Sequence, residues 1–288
     1  MIKRTKNRFI LILKQLFVDK MRINIIRISI ILLCLFPCFS DAQKSNDFVL
    51  CTWNIGHFSN GSKPYSLISN NYRQQLQSYR SLIYDEICPD VIAINEYNIV
   101  FCGEDKEDNP YQTSSLLFDN FKKKVIGPQH YWGICDAVFS NIKIKQSRFI
   151  YFESHKNTDG DDFTKSRENY FIESDLYIHG KKVKLVCLHL LFSNKVAEVF
   201  QQNQIEELVN RYTNAKRVIV CGDWNTEIYS SLKNAGYTLA NDGSLKTFPS
   251  KSEALDNIAV KGLKISDVRV VRTALSDHYP LMCRISLN

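Results

Sequence analysis

The chain is punctuated by short apolar runs of strand length, and what constrains it most is how those runs end. Residues 48–55, 91–95, 134–139, 170–178, 183–190, 217–221, 257–260 and 281–286 are rich in Val, Ile, Phe and Tyr and are expected to be β-strands. Two segments have helical spacing instead. Leu76, Tyr79, Ile83 and Ile87 precede Pro89, and Val196, Val199, Phe200, Leu208 and Val209 follow Asn194. Helices at two well-separated points, with many strands between them, imply two stacked, mainly antiparallel sheets with helices on the outer faces. This is an α/β fold, a four-layer α/β/β/α sandwich. No repeat or low-complexity linker marks a boundary after residue 43, so residues 43–288 are expected to form a single domain.

The polar residues at the strand ends are of a few types. One run ends at Asn54, another at Glu96, a third at His189 and a fourth at Asp223-Trp224-Asn225; Asp256 opens a strand, and Ser276-Asp277-His278 precedes the last. Strands converging at one edge would bring these side chains together on rigid supports. The set contains what phosphate-ester hydrolysis requires. A hard cation such as Mg²⁺ takes oxygen ligands and keeps several waters, so one or two carboxylates hold it, with Glu96 the first candidate. A His steadied by a carboxylate, His278 with Asp256 or Asp277, suits proton transfer near neutral pH. Asn54, Asn225 and His189 offer donors to phosphoryl oxygens. Each has a bland explanation by itself: Gly222-Asp223 as a turn, Asp223 or Asn225 as caps, Ser276-Asp277 as a turn start. Six together are harder to dismiss.

Cys51-Thr52-Trp53-Asn54-Ile55, Ile94-Asn95-Glu96, Leu188-His189-Leu190, Gly222-Asp223-Trp224-Asn225, Leu255-Asp256-Asn257-Ile258 and Ser276-Asp277-His278-Tyr279-Pro280-Leu281 occur in an order that resembles the endonuclease/exonuclease/phosphatase superfamily. That superfamily includes pancreatic deoxyribonuclease, neutral sphingomyelinases and inositol-polyphosphate 5-phosphatases. The resemblance implies the four-layer sandwich, one Mg²⁺ or Mn²⁺ ion, and a divalent-metal-dependent hydrolase of phosphate ester bonds in which water attacks in line. By motif, Glu96 is the main metal ligand, with Asn54 and Asp277 beside it. Asp223 and Asn225 orient nucleophile and phosphate, Asp256 pairs with His278, and His189 with Arg167 contacts the phosphate. Either Asp223 or His278 activates the water. Asp136 departs from the pattern, standing where many members have Asn, and an extra carboxylate repels an anionic substrate unless it is paired or near the metal.

Charge bears on export and on substrate. The formal net charge is +7, from 37 Lys and Arg against 30 Asp and Glu. Eight of the basic and two of the acidic residues lie in the first 42 positions, so that stretch carries +6 and the remainder only +1. Arg22 and Arg27 precede the apolar run 28–36, and Ser40-Asp41-Ala42 suits cleavage after Ala42, so residues 1–42 are expected to be a secretory signal with Met21 as the start. The run is shorter than the roughly 20 residues of a membrane span. A secreted or periplasmic monomer is expected, with no stable protein partner; a lipid anchor at Cys38 is the minor alternative. Seven of nine cysteines lie beyond residue 42, without a CxxC pair, and one disulfide among those outside the apolar runs is allowed. A near-neutral mature chain, with acidic segments at 104–108 and 159–162 and basic runs only at Lys122–Lys124 and Lys181–Lys182, favours a small phosphodiester or phosphomonoester. A DNA or RNA nuclease is the alternative, and a non-catalytic binding module the minor one.

Overall fold

Successive residues of a strand point to opposite faces, and in the computed structural model both faces of each sheet carry buried apolar residues. It describes residues 47–58, 72–98, 112–129, 134–153, 169–191 and 197–287. The expected signal, Cys38, Cys102, both acidic segments and Arg167 lie outside the described residues. Asn46–Asn288 forms one compact unit.

The first sheet consists of β1 (Asp47–Asn54), β2 (Val91–Asn98), β3 (Lys123–Ile126), β4 (Ile134–Ser140), β11 (Leu263–Val270) and β12 (Leu281–Leu287), in the order β11-β12-β1-β2-β4-β3. The second holds β5 (Lys143–Tyr151), β6 (Tyr170–Ile178), β7 (Lys181–His189), β8 (Val218–Asp223), β9 (Thr238–Leu239) and β10 (Asp256–Lys261), in the order β5-β6-β7-β8-β10-β9. Within each sheet one central pair is parallel, β1 with β2 and β7 with β8, and the other pairings are antiparallel.

Leu50, Val91, Ala93 and Val138 of the first sheet meet Ile172, Leu185, Cys187, Cys221 and Ile258 of the second in a buried inter-sheet core. The alternate residues face outward. Cys51, Trp53, Ile92, Ile94 and Phe139 pack under α1 (Tyr72–Ser81), its continuation Leu82–Ile87, and the short α2 (Gln112–Leu116). Phe171, Val186, Val220 and Trp224 pack under α3 (Ala197–Arg211) and the short α4 (Ser230–Asn234). These are the four expected layers. The first helix ends where Cys88 takes a left-handed conformation and donates its N–H to the Ile83 carbonyl, one residue before Pro89 stops propagation.

Differences from the sequence expectation are local. Val199 was assigned to the buried stripe of α3 but is 62% exposed, and Ile205 and Leu208 make the contact. The basic run Lys122–Lys124 leads into edge strand β3, and Lys181-Lys182 opens β7. Cys51, Cys88, Cys135, Cys187, Cys221 and Cys283 are all free thiols, so among the described residues the allowed disulfide does not form.

Candidate active site

Five of the polar strand ends meet at one carboxylate. Strand β8 delivers Asp223, and Gly222 before it makes this geometry attainable. Its φ is +142°, and a Cβ built there would lie 1.8 Å from the Leu188 carbonyl oxygen. Any other residue would push β8 away from β7. With Gly in place, Asp223 pairs in register with His189 on one side and with Asp256 on the other.

The Asp223 side chain is 1% exposed and surrounded by donors. Asn54 Nδ2 donates to its Oδ2 at 3.0 Å, His189 Nε2 lies 3.6 Å from the same oxygen and His278 Nε2 lies 3.7 Å from it. The other oxygen, Oδ1, accepts the Asn225 N–H at 2.9 Å. His278 is held from behind, its Nδ1 2.8 Å from Asp256 Oδ2. Asp256 is fixed in turn, since its N–H donates to Thr247 Oγ1 at 2.9 Å. The Phe248 ring tilts against the His278 imidazole at 4.7 Å between centroids, and Trp53 Nε1 donates to the His278 carbonyl at 3.0 Å.

Both nitrogens of His278 thus face carboxylates. Burial by itself would lower its pKa, but the negative charges of Asp256 and Asp223, with Asp277 contributing, outweigh burial and push it up to about 10. His278 is therefore an imidazolium at neutral pH.

The proposed metal ligands occupy the adjoining end of the first sheet. Asn54 and Asn95 are register partners on β1 and β2, and Glu96 follows directly. At Glu96 the pairing of β2 with β4 shifts register and φ is +52°, a bulge that turns its side chain out of strict alternation. Asn54 Oδ1 accepts the Gly56 N–H at 3.0 Å, and Ser276 Oγ donates to the Asn54 carbonyl at 2.8 Å. That bond draws the last loop in, so that Asp277 Oδ1 stands 3.2 Å from Ser276 Oγ and 2.9 Å from where a Cβ on Gly56 would be. Glu96, Asp277 and the Asn54 amide each carry hard oxygen donors of the kind Mg²⁺ or Mn²⁺ takes. Among the described residues, ligand atoms of Asp223, Asp256 and His278 lie within 4.8 Å of one another. The 2.8 Å His278–Asp256 hydrogen bond already fills that space, and a cation there would have to displace the proton it carries.

One expected residue stands differently from the simplest expectation. The Asn225 side chain is tied inward, Nδ2 donating to the Leu190 carbonyl at 3.0 Å, with its backbone at φ +49°. Arg167 is outside the described residues. Sequence reasoning passed over Asn95, which organises the floor: Nδ2 donates to Asp136 Oδ1 and to the Leu188 carbonyl, each at 2.8 Å, and Oδ1 accepts the Asp223 N–H at 2.9 Å. The signal was a fully buried Asn closing an apolar run. Asp136 is 1% exposed, and among the described residues its Oδ2 has no hydrogen-bond partner. Burial raises its pKa to about 6, against the attraction of His189 and the Asn95 hydrogen bond.

The endonuclease/exonuclease/phosphatase family model matches residues 51–278, a span that includes every one of these strand ends. The chain belongs to the endonuclease/exonuclease/phosphatase family. Solved structures of similar fold include the family member from Bacteroides vulgatus, at 15% identity, covering 84% of this chain and 99% of that one, TM-score 0.63. Another is the human Nocturnin catalytic domain with bound sulfate, at 19% identity, covering 86% and 97%, TM-score 0.60. A third is D. rerio TDP2 complexed with single strand DNA product, at 14% identity, covering 83% and 99%, TM-score 0.61. No curated protein matches the chain in sequence. Members of this family are phosphoester hydrolases, typically dependent on a divalent metal. Among the described residues no helix is long and apolar enough to cross a membrane.

Proposed function

We propose that this family member is an exported, divalent-metal-dependent phosphodiesterase or phosphatase acting by in-line attack of water. The observation that carries this reading is the Asp223 carboxylate, which receives Asn54 and faces two histidines, one of them paired with Asp256. A cation held by Glu96, Asp277 and Asn54 supplies neutralisation of the phosphoryl oxygens when bound.

The chain's own groups divide the remaining work. His278 already carries its proton, so it does not accept one from water; its Nε2–H is a charged donor for a phosphoryl oxygen, and Asp256 keeps the ring oriented. The proton of the attacking water goes to Asp223, the anionic group at the centre, as the water oxygen forms the new P–O bond and the bond to the leaving alkoxide breaks. Asn54 fixes which way that carboxylate points. His189, 21% exposed, offers a second donor at the mouth.

The second reading, a nuclease, is supported by the family and by the DNA product bound to D. rerio TDP2. The test is hydrolysis of bis-p-nitrophenyl phosphate, inositol phosphates, sphingomyelin, RNA and plasmid DNA with and without Mg²⁺, Mn²⁺ or Ca²⁺. Turnover of the small esters with plasmid left intact is expected. Plasmid cleavage without small-ester turnover overturns the first reading in favour of the second, and a metal-independent rate removes the cation from both.

A further inference from the structure

Past residue 42 the chain sums to only +1, but the fold gathers its lysines unevenly. At the end of the second sheet opposite the site, register makes Lys143, Tyr177 and Lys182 neighbours across β5, β6 and β7. The next row aligns Gln146, Asp175, Lys184, Val218 and Lys261 across β5, β6, β7, β8 and β10. Leu176, Val183 and Val260 alternate with these residues and point into the inter-sheet core, so the charged rows face outward.

Helix α3 covers the apolar part of this outer face, over Phe171, Val186 and Val220, and ends at Arg211. Beyond that end the cations are fixed by specific partners. Glu173 takes Arg148 Nη2 and Lys184 Nζ at 2.7 Å each and the Tyr212 hydroxyl at 2.6 Å. Asp175 takes Lys182 Nζ at 2.5 Å and Lys184 Nζ at 2.7 Å. Lys145 Nζ sits 3.9 Å from the centre of the Tyr177 ring, and Lys261 Nζ donates to the Thr213 carbonyl at 2.8 Å. Both carboxylates are buried beneath their partners, whereas Lys143, Lys145 and Lys182 are exposed. Five lysines with Arg148 and Arg211 thus stand over two carboxylates on a single face.

We propose that this face docks on an anionic lipid membrane. A bilayer presents its phosphates in a plane, and each lysine brought within about 10 Å of such a surface strengthens binding about fivefold. Two observations favour a membrane over a nucleic acid. Lys182 is seven residues from His189 along β7, about 23 Å, so a polyanion held here lies away from the Asp223 carboxylate. The first sheet also begins β1 at this end, with Asp47 opposite Ser286, so residues 1–46, which include the apolar run 28–36, join the domain on the docking side. Docked in this way, the protein turns its site toward solution, which goes beyond the reading of the site as a hydrolase of small esters and does not depend on it.

The test is co-sedimentation of the exported protein with phosphatidylcholine vesicles, with and without phosphatidylglycerol, at low and at high salt. Binding is expected only where phosphatidylglycerol is present, and only at low salt. Lys143→Gln/Lys145→Gln/Lys182→Gln should bind those vesicles about a hundredfold more weakly. Its thermal midpoint should stay near wild type, because Lys184 still pairs with Asp175. Lys143→Arg/Lys145→Arg/Lys182→Arg keeps the charge and should bind as the wild type does. Equal binding to phosphatidylcholine alone, wild-type affinity in the Gln variant, or loss of binding in the Arg variant overturns the proposal. So does binding of a short DNA duplex at least as tight as that of the vesicles and lost in the Gln variant, which assigns the face to nucleic acid. Hydrolysis of soluble bis-p-nitrophenyl phosphate is followed as vesicles are added. An undiminished rate supports the orientation, and a rate that falls as the protein docks overturns it. Absence of turnover under every condition refutes the hydrolase reading alone, since vesicle binding is measured separately.

Discussion

Asp136→Asn should stabilise the metal-free protein, and the gain should depend on pH in a defined way. Asp136 has an ordinary pKa of 3.8 that burial raises to about 6 in the fold. A carboxyl whose folded pKa is raised weighs against folding above that pKa, and the penalty disappears as pH falls through 6 toward 4. At about 1.4 kcal/mol per unit, holding Asp136 ionised costs about 3 kcal/mol at pH 7, roughly half of that at pH 5 and little at pH 4. The Asn variant keeps an oxygen to accept the Asn95 amide, but its NH₂ takes the place of Oδ2, which has no partner, and that gives back about 1 kcal/mol. The expected net gain is about 2 kcal/mol at pH 7, gone between pH 5 and pH 4. Urea denaturation of both proteins in EDTA at pH 7, 5 and 4 measures it. Equal stability at pH 7, or a gain that persists on acidification, would mean that Asp136 is neutralised by a neighbour, and the burial argument fails.

Further outcomes follow from the same geometry. Because His278 is held protonated with a pKa of about 10, its stabilising contribution should be complete below its ordinary 6.5 and be lost as pH rises through 10, so the deficit of His278→Gln should shrink in alkaline denaturation series. By the same token kcat/KM should show no ionisation of His278 between pH 6 and 9, and an acidic limb near 6.5 abolished by His278→Gln would restore it as the base. Glu96→Ala should remove the Mg²⁺ or Mn²⁺ requirement together with turnover while leaving the thermal midpoint near wild type; wild-type rates would take the ligand role from Glu96. Asn95→Ala breaks three bonds inside the floor, to Asp136, Leu188 and Asp223, and should cost about 2 to 4 kcal/mol by leaving buried partners unpaired. N-terminal sequencing of the exported protein is expected to find Gln43 first, and a chain starting at Met1 or Met21 would contradict cleavage after Ala42.

How legible each element was depends on its burial. Central strands such as β1 and β8 are buried along nearly their whole length, so their sequences are mostly apolar runs and stand out. The edge strands β3, β5 and β11 went unrecognised. Half their residues meet water, so Lys143, Lys145, Lys264 and Asp267 interrupt any apolar pattern, and only pairing with a neighbour makes them strands. The helix at residues 72–87 showed in its spacing, whereas Val199 misled because an apolar side chain at a helical position does not say whether anything covers it.

The sequence by itself determined the family, the layers and the chemical types at the strand ends, because strand length, face alternation and the order of motifs are local or linear properties. What only the tertiary structure decided is which of those groups share a proton and which share a face. Asp256 and His278 are 22 residues apart and Asn54 and Asp223 are 169 apart, yet each pair is hydrogen-bonded. Asn95 and Asp136 became the floor of the site only once two sheets were stacked. Ionisation and accessibility depend on what lies within a few ångströms in space, and no linear spacing encodes that distance.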